Sequence, residues 1–123
     1  MEDLIYMLSD YTRWYRRQFI PNQRYKIFLK ADEGRTCIYF SYDMAEEIDA
    51  CMRKCRRNRN YDDCFTACYE DVFDAVEEFL CEQVDMFERL LRRKGVTEAE
   101  PDCSGGYSGS EGTARWVRLC VPR

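Results

Sequence analysis

The sequence predicts a small α+β protein: an antiparallel sheet of about three strands, with a disulfide-bonded helical hairpin and an N-terminal helix on one face. Three observations support this fold class. Three short segments alternate apolar and polar residues as strands do, and three others repeat apolar residues at helical spacing. Eight cysteines occur among 123 residues. A chain of this length with 46% hydrophobic residues suits a single domain, residues 1–123.

The first part of the chain predicts a helix and a β-hairpin. Residues 2–18 place apolar side chains at helical spacing, so we expect an amphipathic helix there. Residues 24–30 and 35–42 alternate on either side of the turn sequence Asp-Glu-Gly at 32–34. These two strands would pair as an antiparallel hairpin.

Two Cys-x3-Cys pairs define the next part of the chain. Cys51 and Cys55 lie on one face of a helix, as do Cys64 and Cys68, because residues four apart are neighbours on a helix surface. The turn-rich linker between the pairs predicts two antiparallel helices, with the outer cysteines bonded as Cys51–Cys68 and the inner ones as Cys55–Cys64. A four-thiolate zinc site is an alternative, as is a redox site, although redox pairs usually have the shorter Cys-x-x-Cys spacing.

This twin Cys-x3-Cys hairpin resembles the pattern of plant α-hairpinin peptides and of the small chaperones of the mitochondrial intermembrane space. The resemblance covers about a seventh of the chain. It implies the geometry of the hairpin only, and no activity is carried over from either family.

The remaining cysteines also suggest partners. The second helix of the hairpin is predicted over residues 62–94, and Cys81 falls on its charged face, where packing explains a cysteine poorly. Cys103 is the natural partner for Cys81. That leaves Cys37 and Cys120 to pair.

The end of the chain predicts a loop and a third strand. Residues 101–112 are rich in Gly and Ser, so we expect a flexible loop. Residues 114–121 alternate again. If this strand pairs with residues 35–42, Cys37 and Cys120 both lie on the outer face of the sheet, which suits a cross-strand disulfide.

Aromatic and basic side chains would share that outer face. Aromatic rings among basic residues on an antiparallel sheet are typical of proteins that stack single-stranded nucleic acid, but such a patch more often marks a protein interface. The net charge of −4 also argues against contacts to phosphate. The predicted contact surface comprises Lys26, Phe28, Lys30, Tyr39, Trp116 and Arg118.

No signal for catalysis is present in the sequence. The chain has no His, so it lacks an imidazole base and His metal ligands, and it has no phosphate-binding loop. We therefore expect a non-enzymatic protein without metal or cofactor that binds another protein, most simply a second copy of itself. Single-stranded nucleic-acid binding is the alternative function.

Apolar runs, the first ten residues and the cysteines together predict where the protein is located. No membrane partner is expected, since no apolar run approaches the roughly 18 residues of a membrane span, and the first ten residues lack the basic start of a leader. Eight cysteines are unusual in a reducing cytosol, whereas intracellular disulfides are common in hyperthermophiles. Few Asn and Gln and 34% charged residues point the same way. We expect an intracellular protein of a hyperthermophilic archaeon or its virus, with a secreted disulfide scaffold as the alternative.

Overall fold

The computed structural model describes residues 24–108 and 112–122, together with Ser9, Asp10 and Arg13. The predicted N-terminal helix, residues 2–18, lies outside the described residues except at those three positions, which are helical. The predicted α+β class is confirmed. In chain order the elements are β1 Tyr25–Asp32, β2 Arg35–Asp43, α1 Ala45–Cys55, α2 Tyr61–Arg93, β3 Glu100–Ser108 and β4 Ala114–Pro122.

The sheet has four antiparallel strands in the order β1-β2-β4-β3, not three. The fourth strand, β3, occupies most of the range 101–112, so the prediction of a flexible loop there is wrong. This segment forms a strand because it pairs with β4 and because its glycines let the two strands approach closely. A Cβ atom on Gly105 would lie 1.8 Å from the Trp116 carbonyl oxygen, and one on Gly106 would lie 3.0 Å from the Trp116 ring. These glycines therefore let β3 pack against β4.

The core lies between the inner face of the sheet and α2. Alternate residues of β1, β2 and β4 face the helix because side chains along a strand point to opposite faces. The rings of Phe40 and Phe87 meet edge to face with centroids 5.3 Å apart. Burying each such side chain contributes about 1.5–3 kcal/mol. The fully buried apolar side chains include Ile27, Ile38, Phe40, Met44, Leu80, Val84, Phe87, Leu91, Val117 and Leu119.

Glycines with positive φ lie in the turn after β1 and at the end of α2. Glu33 and Gly34 both have positive φ in the two-residue turn between β1 and β2, as a hairpin turn of the primed type requires. Gly95, with φ of 90°, follows α2. There the Val96 N–H donates to the Leu91 carbonyl and the Gly95 N–H donates to the Arg92 carbonyl, which is the Schellman arrangement.

Candidate contact surface on the outer face of the sheet

The strand register places aromatic side chains side by side on the face that points away from α2. Phe28 of β1 lies directly opposite Tyr39 of β2. Their rings are stacked, with centroids 5.2 Å apart and planes 3° from parallel. Directly opposite residues of an antiparallel pair share a face, so this contact follows from the pairing itself.

Trp116 of β4 extends this contact to a third strand. It pairs with Ser41, two residues beyond Tyr39, and its ring centroid lies 5.4 Å from that of Tyr39. Phe28, Tyr39 and Trp116 therefore form a continuous aromatic row across β1, β2 and β4. Phe28 is exposed, while Tyr39 and Trp116 are half-buried.

Arg118 lies at the β4 end of the aromatic row and donates hydrogen bonds to three other residues of the protein. Its Nη1 donates to the Tyr39 hydroxyl at 3.2 Å and to Asp32 at 3.3 Å, and its Nε donates to Asp102 at 3.4 Å. The guanidinium also lies 5.9 Å from the centre of the Trp116 ring. The hydrogen bond to Tyr39 is the largest cause that raises the pKa of Arg118, and the hydrogen bond to Asp102 also raises it. Two carboxylates thus balance the cation.

Asp102 is held in its charged form by its neighbours. The Ser104 hydroxyl and backbone N–H both donate to Oδ1, and Arg118 donates to the other oxygen. The hydrogen bond from the Ser104 side chain is the largest cause that lowers the pKa of Asp102, and Arg118 adds to it. The acid therefore stays paired with Arg118 across the neutral range.

The other two basic residues of the predicted surface lie on the edge strand β1. Lys26 pairs with Ser41 and Lys30 pairs with Cys37, so both lie on the same face as the aromatic row. Both side chains are exposed. The structure therefore brings all six predicted contact residues onto one face, with the lysines more exposed than the arginine.

A disulfide lies within this face. Cys37 and Cys120 are directly opposite in β2 and β4, with Cα atoms 4.1 Å apart, and their sulfurs are bonded. Their side chains are 0% and 2% exposed. This is the pairing that the outward alternation of both strands predicts, and it links the two central strands beside the aromatic row.

The helical hairpin contains the two predicted rungs. Cys51 is bonded to Cys68 and Cys55 to Cys64, in each case with Cα atoms 5.7 Å apart. These four sulfurs are therefore bonded between helices, so within the hairpin they form neither the bond inside one pair that a redox site would have nor a set of thiolates that could bind zinc.

The predicted Cys81–Cys103 disulfide is not formed in this structure, in which both cysteines carry free thiols. They are nevertheless neighbours. Burial is the largest cause that raises the pKa of Cys81 to about 12, and the hydrogen bond with Cys103 is the second. The two side chains are therefore close to each other but are not bonded.

A second set of aromatic residues was missed by the sequence analysis. Four rings repeat every fourth residue along α2 and stack in turn, and Tyr107 of β3 continues the stack. Neighbouring centroids are 5.7–6.2 Å apart. The spacing of four was a usable signal, since such residues meet on a helix surface. The helical members are Tyr61, Phe65, Tyr69 and Phe73.

A cluster of charged side chains links the residue before β1 to the first turn of α1. Arg24 forms ion pairs with Glu46 at 2.9 Å and with Glu47 at 2.6 Å, and the Tyr42 hydroxyl donates to Glu47 at 2.7 Å.

Nowhere in the described chain do three Cys, Asp or Glu side chains gather in a way that could hold a metal ion. Of the helices described, none is both long and apolar enough to cross a membrane.

The fold and these bonds define the class of the protein: a disulfide-bonded α+β domain with an aromatic row on its outer sheet face. Comparisons of the chain with protein-family models, with curated proteins and with solved structures found no match. Its function is therefore argued from the geometry of its own residues.

Proposed function

We propose that this protein acts by binding protein rather than by catalysis, and that the aromatic row contacts a second copy of the chain. The observation that carries this proposal is the row itself: three rings from three strands, each in contact with the next, beside a disulfide on the same face. Rigid aromatic side chains lose little conformational entropy on binding and are enriched at the energetic centres of protein interfaces.

The charges around the row also favour a protein partner. Arg118 is paired with Asp32 and Asp102, so its cation is already compensated before any partner arrives. A nucleic-acid site would instead keep its arginine available for phosphate, because phosphate contacts provide most of the affinity. A polar rim around an aromatic centre is the usual composition of a protein interface.

Exposure makes Phe28 the best residue for the test, and Phe79 provides a matched control. Both phenylalanines are 39% exposed, but Phe79 lies on α2 with its ring against Tyr25, away from the outer face. We expect the wild-type chain to self-associate in sedimentation velocity over a range of concentrations. Phe28→Glu should weaken that association by about tenfold or more, while Phe79→Glu should leave it unchanged. A wild-type chain that stays monomeric throughout would refute self-association.

Single-stranded nucleic-acid binding is the second candidate, and the exposed lysines beside the row favour it. Lys26 and Lys30 lie next to rings on which bases could stack. The test is fluorescence anisotropy of a labelled oligonucleotide at low salt. Binding that is lost in both Phe28→Glu and Lys26→Gln/Lys30→Gln would establish this function. No binding by the wild-type chain at low salt would exclude it.

We further infer an intracellular setting in a hyperthermophilic archaeon or its virus. Three disulfides and 34% charged residues support this setting, and a secreted scaffold is the alternative that shares the disulfides. Reading the genomic frame around the gene separates the two, since a leader upstream of Met1 would establish the secreted alternative.

A further inference from the structure

Cys81 and Cys103 differ from the other six cysteines in their chemistry. They carry free thiols, whereas the rest are bonded in three disulfides. Both are partly exposed, while the disulfide between the central strands is buried. A small thiol reagent can therefore reach these two sulfurs without unfolding the sheet.

Arg115 holds together the two elements that carry these thiols. Its Nη2 donates to the Cys103 carbonyl at 3.0 Å and to Glu77 at 3.1 Å. Glu77 lies one helical turn before Cys81, on the same face of α2. Only 3% of Arg115 is exposed. A buried cation thus clamps the backbone of Cys103 beside the turn that carries Cys81.

An irregularity in β3 brings Cys103 to this position. The register shifts between the pairs Asp102–Arg118 and Gly106–Trp116, so that three residues of β3 stand against one residue of β4. Extra residues of this kind bend a strand and redirect its side chains. Asp102 contacts Arg118 on the outer face, whereas the next residue, Cys103, lies against Cys81 of the helix.

We propose that Cys81 and Cys103 form a reversible dithiol site for small-molecule disulfides of the glutathione type, and that its oxidised form bonds the edge strand β3 to α2. The proposal rests on the juxtaposition of two accessible thiols on separate elements that Arg115 holds in place. It is independent of what binds the aromatic row.

The exchange takes place in two steps. Cys103 reacts first and gives its proton to solvent, because burial and the hydrogen bond with Cys103 raise the pKa of Cys81 to about 12. The Cys103 thiolate attacks one glutathione sulfur, the bond between the two glutathione sulfurs breaks, and one glutathione thiolate leaves and takes a proton from water. Cys81 then loses its proton to solvent, attacks the Cys103 sulfur and expels the second glutathione.

The electrons balance in this sequence. Two protein S–H bonds and one glutathione disulfide become one protein disulfide and two glutathione thiols, so the protein is oxidised and glutathione is reduced. Excess reduced glutathione reverses both steps by attack on the same bond.

The experiment equilibrates the folded protein in buffers of varied ratio of reduced to oxidised glutathione, followed by acid quenching, alkylation and peptide mapping by mass spectrometry. We expect the Cys81–Cys103 bond to form and open with the ratio, approached from either direction, while the other three disulfides remain closed. Two results would overturn the proposal: no bond between these two cysteines at any ratio, or its opening only when another disulfide also opens.

Single variants test the order of attack. Cys81→Ser should accumulate a mixed disulfide of Cys103 with glutathione, because no second thiol is present to displace it. Cys103→Ser should react with oxidised glutathione at least about tenfold more slowly, since burial, the largest cause that raises the pKa of Cys81, remains in that variant. Faster reaction of Cys103→Ser than of Cys81→Ser would overturn the assigned order.

Discussion

Arg115 and Glu77 join β4 to the middle of α2 through an ion pair with Nη2 and Oε1 3.1 Å apart, in which the arginine is 3% exposed and the glutamate 40% exposed. The same guanidinium donates to the carbonyl oxygens of Cys103 and Trp116 and lies over the rings of Phe73 and Tyr107. A cation buried this deeply depends on its partners, because an uncompensated buried charge is costly.

Loss of the Glu77 carboxylate should therefore destabilise the fold more than loss of the exposed Glu78 carboxylate. We expect Glu77→Gln to lower the free energy of unfolding by about 1–2 kcal/mol, a range reduced by the partial exposure of the carboxylate. Glu78→Gln is the matched control, since Glu78 is exposed on the next position of the helix. Urea unfolding followed by circular dichroism measures both. Equal stability of the two variants would show that Arg115 does not need this carboxylate.

The three disulfides should contribute in order of the chain they enclose. The bonds separate their cysteines by 83 residues for Cys37–Cys120, by 17 for Cys51–Cys68 and by 9 for Cys55–Cys64. A longer loop loses more entropy in the unfolded chain when it is closed, which gives about 4–5 kcal/mol for the first bond and about 2–3 kcal/mol for the last.

Paired alanine variants of each bond test this order. Guanidinium unfolding under non-reducing conditions should rank the Cys37/Cys120 double variant as the least stable and the Cys55/Cys64 variant as the closest to wild type. The reverse ranking would contradict a stabilisation based on loop length.

How far the sequence predicts this fold is clearest from residues whose partners are local. The spacing of Cys51, Cys55, Cys64 and Cys68 predicts their helices and favours their two bonds. The alternation of β1, β2 and β4 predicts which side chains share a face. The assembly of the six predicted contact residues follows from that alternation. These signals come from neighbours on one element, so a sequence contains them directly.

Partners from distant elements were not predictable in the same way. Asp32 and Asp102 lie close to Arg118 only because the strands pair in this register. Nothing in the sequence around Arg115 indicates that Glu77 lies beside it. The β3 segment has the composition of a loop because its glycines serve close packing, which becomes visible only with Trp116 in place. Tertiary contacts determine strand formation there.

Gly105 should accept no side chain. A Cβ atom there would lie 1.8 Å from the Trp116 carbonyl oxygen, a backbone atom that can move only if β4 moves. We expect Gly105→Ala to cost at least about 2–3 kcal/mol of stability and to speed amide hydrogen exchange in β3. Gly106→Ala is the comparison, since its Cβ would meet the Trp116 ring at 3.0 Å and the ring can rotate away. A smaller loss for Gly105→Ala than for Gly106→Ala would contradict the assigned packing.

Asp102 should make the stability of the protein depend on pH at the acid end. Its pKa is lowered in the folded state, first by the Ser104 hydrogen bond and then by Arg118, so the unfolded chain binds a proton at higher pH than the folded chain does. The stabilisation is therefore complete above the ordinary aspartate range, near pH 4, and is lost as the pH falls through the lower folded value. Wild-type stability should decline over that interval, and Asp102→Asn should decline less. Asp74→Asn, at an exposed position of α2, should retain the wild-type slope. Urea midpoints measured at closely spaced pH values test this prediction. If the midpoints of wild type and Asp102→Asn depend on pH with the same slope, the Ser104 and Arg118 contacts do not favour the charged form of Asp102.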